Sequence, residues 1–150
     1  MKKILLTLCP LLLFICTTKA QVQEQNPTDI SKRFFEIYAT KPLDAIDYLF
    51  ADVKKIKQVS DDITAIKKNL KMTIDQDGVN NGYELITEKS VGANLKLQSY
   101  MVKYDKQPVR FIFIYYRPKD VWKIYTFQFN TNMDEELTSV AGVDQLKENK

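Results

Sequence analysis

The feature that most constrains this chain is a change of hydrophobic period close to residue 82. Upstream of it, apolar residues recur every three or four positions; downstream, every second position. The first spacing lines one side of a helix and the second lines one face of a strand, and neither pattern can serve as the other. Asp77-Gly78 and Asn80-Asn81-Gly82 mark the switch with strong turn residues. Helices followed by strands in separate blocks make an α+β fold, with two to three N-terminal helices laid on one face of a four-stranded antiparallel meander.

In the first block, Ile30, Phe34, Ile37 and Tyr38 form one stripe, with Thr28 or Asp29 as its N-cap. Pro42 opens a second helix carrying Leu43, Ile46, Leu49 and Phe50. Residues 51–59 fit either an extension of that helix or an irregular connection. Ser60-Asp61-Asp62 places a capping hydroxyl and two acids where a third helix would start, ahead of Ile63, Ile66, Leu70 and Ile74. In the second block, Tyr83–Lys89, Leu95–Tyr104, Val109–Tyr116 and Val121–Asn130 read as strands. The breaks between them are short, as in an antiparallel meander.

The first twenty residues stand outside both blocks. A basic Met1-Lys2-Lys3, an apolar run from Ile4 to Ile15 and a small-residue end at Ala20 describe an export signal cut before Gln21. The run falls short of the ~20 apolar residues a membrane-spanning helix needs. A lipoprotein cut before Cys16 is the alternative, but Ile15 is a bulky residue for that position. The chain has 22 basic and 19 acidic residues. Removing Lys2, Lys3 and Lys19 leaves 19 of each, and Cys9 and Cys16 leave with them. The expected mature protein is neutral, free of thiols and exported, to the periplasm or beyond, with no membrane-spanning segment. Residues 21–29 then read as a polar lead-in, 30–135 as the domain, and 136–150 as a tail or short helix.

Short turns also assign faces. With Tyr104 opposite Val109 and Tyr116 opposite Val121, one face carries Gln98, Tyr100, Val102, Tyr104, Val109, Phe111, Phe113, Tyr115, Trp122, Ile124, Thr126 and Gln128. It has no charge and many aromatics, so it is expected to meet the helices. Tyr100, Tyr115, Trp122, Thr126 and Gln128 are the residues of this face that could line an apolar pocket and orient a small apolar ligand; plain packing is the competing reading. The other face bears Leu95, Leu97, Ile112, Ile114, Phe127 and Phe129 among a few cations. An apolar patch of that size calls for a cover, and a homodimer through it, or a contact with another envelope protein, is the expectation.

The available chemistry is narrow. Without histidine or mature cysteine there is no Ser-His-Asp triad, Cys-His pair or ordinary zinc site, and no glycine-rich phosphate loop occurs. Asp75-Gln76-Asp77-Gly78 fails as a calcium loop because Val79 and Ile86 stand where ligands are needed. The reading therefore assigns no catalytic residue, no metal and no cofactor. Lys54, Lys55, Lys57, Lys67, Lys68 and Lys71 fit a solvated helix face better than a nucleic-acid site. The one enzymatic alternative is a small lyase or isomerase using a pocket carboxylate, Glu84 or Glu88, with a tyrosine.

Element order, with Gly82-Tyr83-Glu84-Leu85-Ile86, Lys103-Tyr104, Gln107-Pro108-Val109-Arg110-Phe111 and Trp122, resembles the NTF2-like (cystatin-like cone) superfamily. Within it the chain is similar to small exported proteins of Bacteroides-type bacteria. The resemblance spans roughly residues 30–135 and lacks the hairpin usual between the second and third helices. It implies a pocket between helices and sheet and dimerisation through the sheet. The expected function is thus an exported, non-enzymatic binding or protein-interaction module.

Overall fold

The computed structural model describes residues 26–52, 57–134 and 136–138. Its elements are α1 (Pro27–Tyr38), α2 (Pro42–Leu49), α3 (Lys57–Asp77), β1 (Asn80–Val91), β2 (Leu95–Tyr104), β3 (Pro108–Tyr116) and β4 (Lys123–Asn130). The strands form one antiparallel sheet in the order β1-β2-β3-β4. This is the α+β meander expected from the period switch. The expected export signal at residues 1–20 and most of the tail lie outside the described residues. No helix among the described residues is long and apolar enough to cross a membrane.

Helix α1 starts earlier than its apolar stripe suggests. Asn26, rather than Thr28 or Asp29, is the N-cap, its side-chain oxygen accepting from the Asp29 N–H at 3.0 Å. Pro27 takes the first helical position, where its missing N–H leaves no bond unmade. Residues 27–29 therefore belong to the domain and not to the lead-in. Ser60-Asp61-Asp62 do not open α3 either, since the helix is already running at Lys57. Helix α3 ends at Gly78, whose φ of 93° is the left-handed conformation that closes a helix. The Asp105 carboxylate beside it accepts from the Val79 N–H and from Asn81, so the turn between β2 and β3 is fastened to the end of α3.

The core lies between the helices and one sheet face. Phe34, Phe35 and Tyr38 of α1 meet Phe111, Phe113 and Phe127, with ring centroids 5.1–6.3 Å apart in mostly edge-on or tilted pairs. Those are the separations that aromatic quadrupoles favour. Ala45, Ile46 and Leu49 of α2, with Ile63 and Leu70 of α3, complete the buried set.

The strand faces follow the expected assignment through β2 and β3 and depart from it in β4. Tyr115 pairs with Ile124, but Ile114 pairs with Thr126, so Tyr125 is an extra residue in a β-bulge. One extra residue exchanges the faces of everything after it. Phe127 and Phe129 consequently turn inward beside Phe113 and Phe111. Thr126 and Gln128, expected inside, sit on the outer face opposite Ile114 and Ile112. A second bulge at Ile86 divides β1 in the same way. Before it Tyr83 and Leu85 share the helix side with Val102 and Tyr100; after it Glu88 does, opposite Gln98, while Glu84 faces out with Met101.

Candidate functional site

Three places in the molecule bear on function: a polar network at one end of the interior, a cleft at the rim of the helix layer, and the outer sheet face.

The network begins at Ser31, fully buried in α1. Its hydroxyl lies 3.0 Å from the Gln98 side-chain oxygen and 2.8 Å from the Tyr100 hydroxyl. Gln98 turns its amide the other way, donating to Glu88 at 2.7 Å and to Thr28 at 3.2 Å. Lys96 donates to the second Glu88 oxygen at 3.0 Å. Donation from Gln98 and then Lys96 holds the Glu88 carboxyl below its ordinary pKa. Burial moves the Tyr100 phenol the opposite way, so it stays protonated. Glu88 is thus an anion with both oxygens engaged, separated from Tyr100 by the Gln98 amide. It is a structural acceptor, not a base waiting for a proton.

A second buried carboxylate, Asp77, is 2% exposed and accepts from the Gln107 amide at 2.8 Å. Its backbone carbonyl also receives the Lys106 N–H. Near it the Tyr38 and Tyr104 hydroxyls bond to each other, and burial raises both phenols. These groups fasten α1, α3 and the turn between β2 and β3 together.

The cleft has a volume of about 220 Å³ and is lined by Ile30, Tyr48, Leu49, Ala51, Asp52, Trp122, Lys123 and Ile124. It lies where the start of α1 and the end of α2 meet the first residues of β4. The Arg117 guanidinium lies over the Trp122 ring, 5.0 Å from its centroid, in cation–π range. The Tyr48 hydroxyl is buried with no hydrogen-bond partner, and so is that of Tyr115, which stands near Ser31 without reaching bonding geometry. Burial raises both phenols, leaving two protonated donors with nothing to receive the proton.

Of the five residues expected to line a pocket, only Trp122 does so. Tyr100 and Tyr115 are sealed in the core, and Thr126 and Gln128 are on the opposite face. Ile30, Tyr48 and Leu49 went unrecognised as lining residues because on a helical stripe they read simply as core. Lys67 and Lys71 of the basic stretch pair with Asp47 and Asp75 at 2.6 and 2.7 Å, as a solvated helix face does. Among the described residues no cluster of three or more acidic or sulfur ligands could hold a metal.

The outer face is uneven. At one end Glu136 reaches back from beyond β4 to accept from Ser99 and from Arg110, both at 3.2 Å, and Ser99 is only 2% exposed. At the other end Val91, Leu95 and Tyr116 are adjacent in register, and Tyr125 packs edge-on to Tyr116 at 6.5 Å. Val91 is 72% exposed, Tyr125 69% and Tyr116 47%. Comparison of the chain with protein-family models, with curated proteins and with solved structures finds no match to any of them.

Proposed function

We propose that this chain is an exported, non-enzymatic interaction module of the NTF2-like type that pairs with a second copy of itself through the outer face of its sheet. One observation carries the reading. The inner face is filled by interlocking aromatic rings, whereas the outer face leaves Val91, Tyr116 and Tyr125 bare. A filled interior gives a substrate no room among the groups that could act on it, and an exposed apolar row is a surface to be covered. The occupied state of Glu88 and Asp77 argues against the lyase or isomerase alternative, which needs a carboxylate free to take a proton. Export is supported by the basic, apolar and small-residue order of residues 1–20.

The test is the mass in solution of the chain from Gln21 onward, measured by light scattering across a concentration series. A dimer is expected, and replacing both Tyr116 and Tyr125 with Glu should return it to a monomer without loss of helix or strand signal. A monomer at every concentration up to the high micromolar range rejects the proposal.

A further inference from the structure

We propose that the cleft between Tyr48 and Trp122 binds a one-ring aromatic compound that carries a neutral hydrogen-bond acceptor. This site is separate from the sheet face and does not depend on the pairing proposed for it.

Size sets the first limit. A closed apolar cavity of about 150 Å³ accepts benzene, so about 220 Å³ accommodates a single ring with a short substituent and little more. The walls set the second. Ile30, Leu49 and Ile124 are branched aliphatics, and Tyr48 and Trp122 add two aromatic rings; an apolar ring is the body that such walls favour. Asp52 and Lys123 complete the lining with opposite charges, so the site carries no net pull on an ion of either sign.

The polar requirement comes from Tyr48. Its hydroxyl is buried, has no partner and is kept protonated by its surroundings. A buried donor without an acceptor is a standing cost to the free protein. A ligand carbonyl or ether oxygen in the cleft removes that cost after a small turn of the Tyr48 side chain, whereas a second donor does not. The complementary ligand is therefore an acceptor-bearing ring and not a charged one.

Trp122 supplies the readout. It is the only tryptophan in the chain, so its indole N–H gives a single cross-peak in a nitrogen–proton correlation spectrum. Acetophenone and ethylbenzene, nearly equal in size, differ by the acceptor. Titration with acetophenone should move the indole peak saturably, and ethylbenzene should bind about five- to tenfold more weakly, the worth of one neutral hydrogen bond. In Tyr48→Phe the two compounds should bind equally, while the melting temperature stays level or rises because the lost hydroxyl had no partner. An indole peak unmoved by either compound at millimolar concentration overturns the site. Equal affinities in the wild type, or a preference for acetophenone that survives Tyr48→Phe, overturn the role of the hydroxyl.

Discussion

The two faces of the sheet are built from the same four strands, yet they have opposite characters. Toward the helices, Phe111, Phe113 and Tyr115 alternate with nothing polar and are wholly buried. Away from them, Arg110, Ile112, Ile114 and Tyr116 mix charge with apolar surface and are at most half-buried. Alternation alone produces that difference in β2 and β3. In β1 and β4 it takes a bulge, at Ile86 and at Tyr125, to keep the right residues on the right side. What separates the faces at the two edge strands is thus a count of residues as much as their identity.

The harshest way to break the contrast is to remove Tyr125. Deletion restores simple alternation and turns Phe127 and Phe129 outward while Thr126 and Gln128 enter the aromatic core. Each phenylalanine withdrawn forfeits about 3–5 kcal/mol, and together they approach the whole net stability of a domain this size. Loss of the cooperative thermal transition by near-ultraviolet circular dichroism is expected. A folded deletion variant would show that the bulge is incidental.

A gentler comparison uses neighbours in one strand. Phe113→Ala, in contact with Phe34, Tyr100 and Phe127, should cost about 3–5 kcal/mol in urea unfolding. Ile114→Ala, one residue on and facing out, should cost only about 1–2 kcal/mol for the monomer, since half-buried surface yields less. Equal losses would mean that the outer face is as tightly covered as the inner.

At the boundary between the faces, Glu88 ties the exposed edge to buried Gln98. Its pKa is lowered on folding, so its contribution is fully present above the unfolded value near 4.3 and fades as pH falls through the lower folded value. Glu88→Gln should remove that part of the acid sensitivity and cost about 0.5–1 kcal/mol at neutral pH, a figure already discounted for solvent screening. Urea midpoints measured from pH 7 down to pH 3 for both proteins give the comparison.

The smallest effect belongs to Tyr115, central to the inner face. Its hydroxyl has no bonding partner, so Tyr115→Phe should leave stability unchanged or raise it by up to about 1 kcal/mol. A loss beyond that in thermal melts would reveal a bond made in solution.

The sequence showed element order, the meander and the inner residues of β2 and β3, because each follows from period and turn length within one segment. Neither bulge was legible. Tyr125 looks like an ordinary strand residue, and only the pairing of Phe127 with Phe113 shows that the strand has slipped. Thr126 and Gln128 were misplaced for that reason alone. Asn26 was passed over as a cap because it precedes a proline outside the apolar stripe. The cleft was hidden more deeply, since Ile30, Tyr48 and Trp122 come together only when segments almost a hundred residues apart are folded onto one another.

That separation also has a meaning in time. Ser31 finds its partners 67 and 69 residues further along the chain, and Tyr38 finds Tyr104 after 66. A chain emerging N-terminus first therefore presents Phe34, Phe35 and Tyr38 to its surroundings long before the strands that cover them exist. Helix α1 is the first element made and among the last to be satisfied. For most of its emergence the chain is a client for whatever holds apolar segments apart, and its folding is timed by the arrival of β2 and β3.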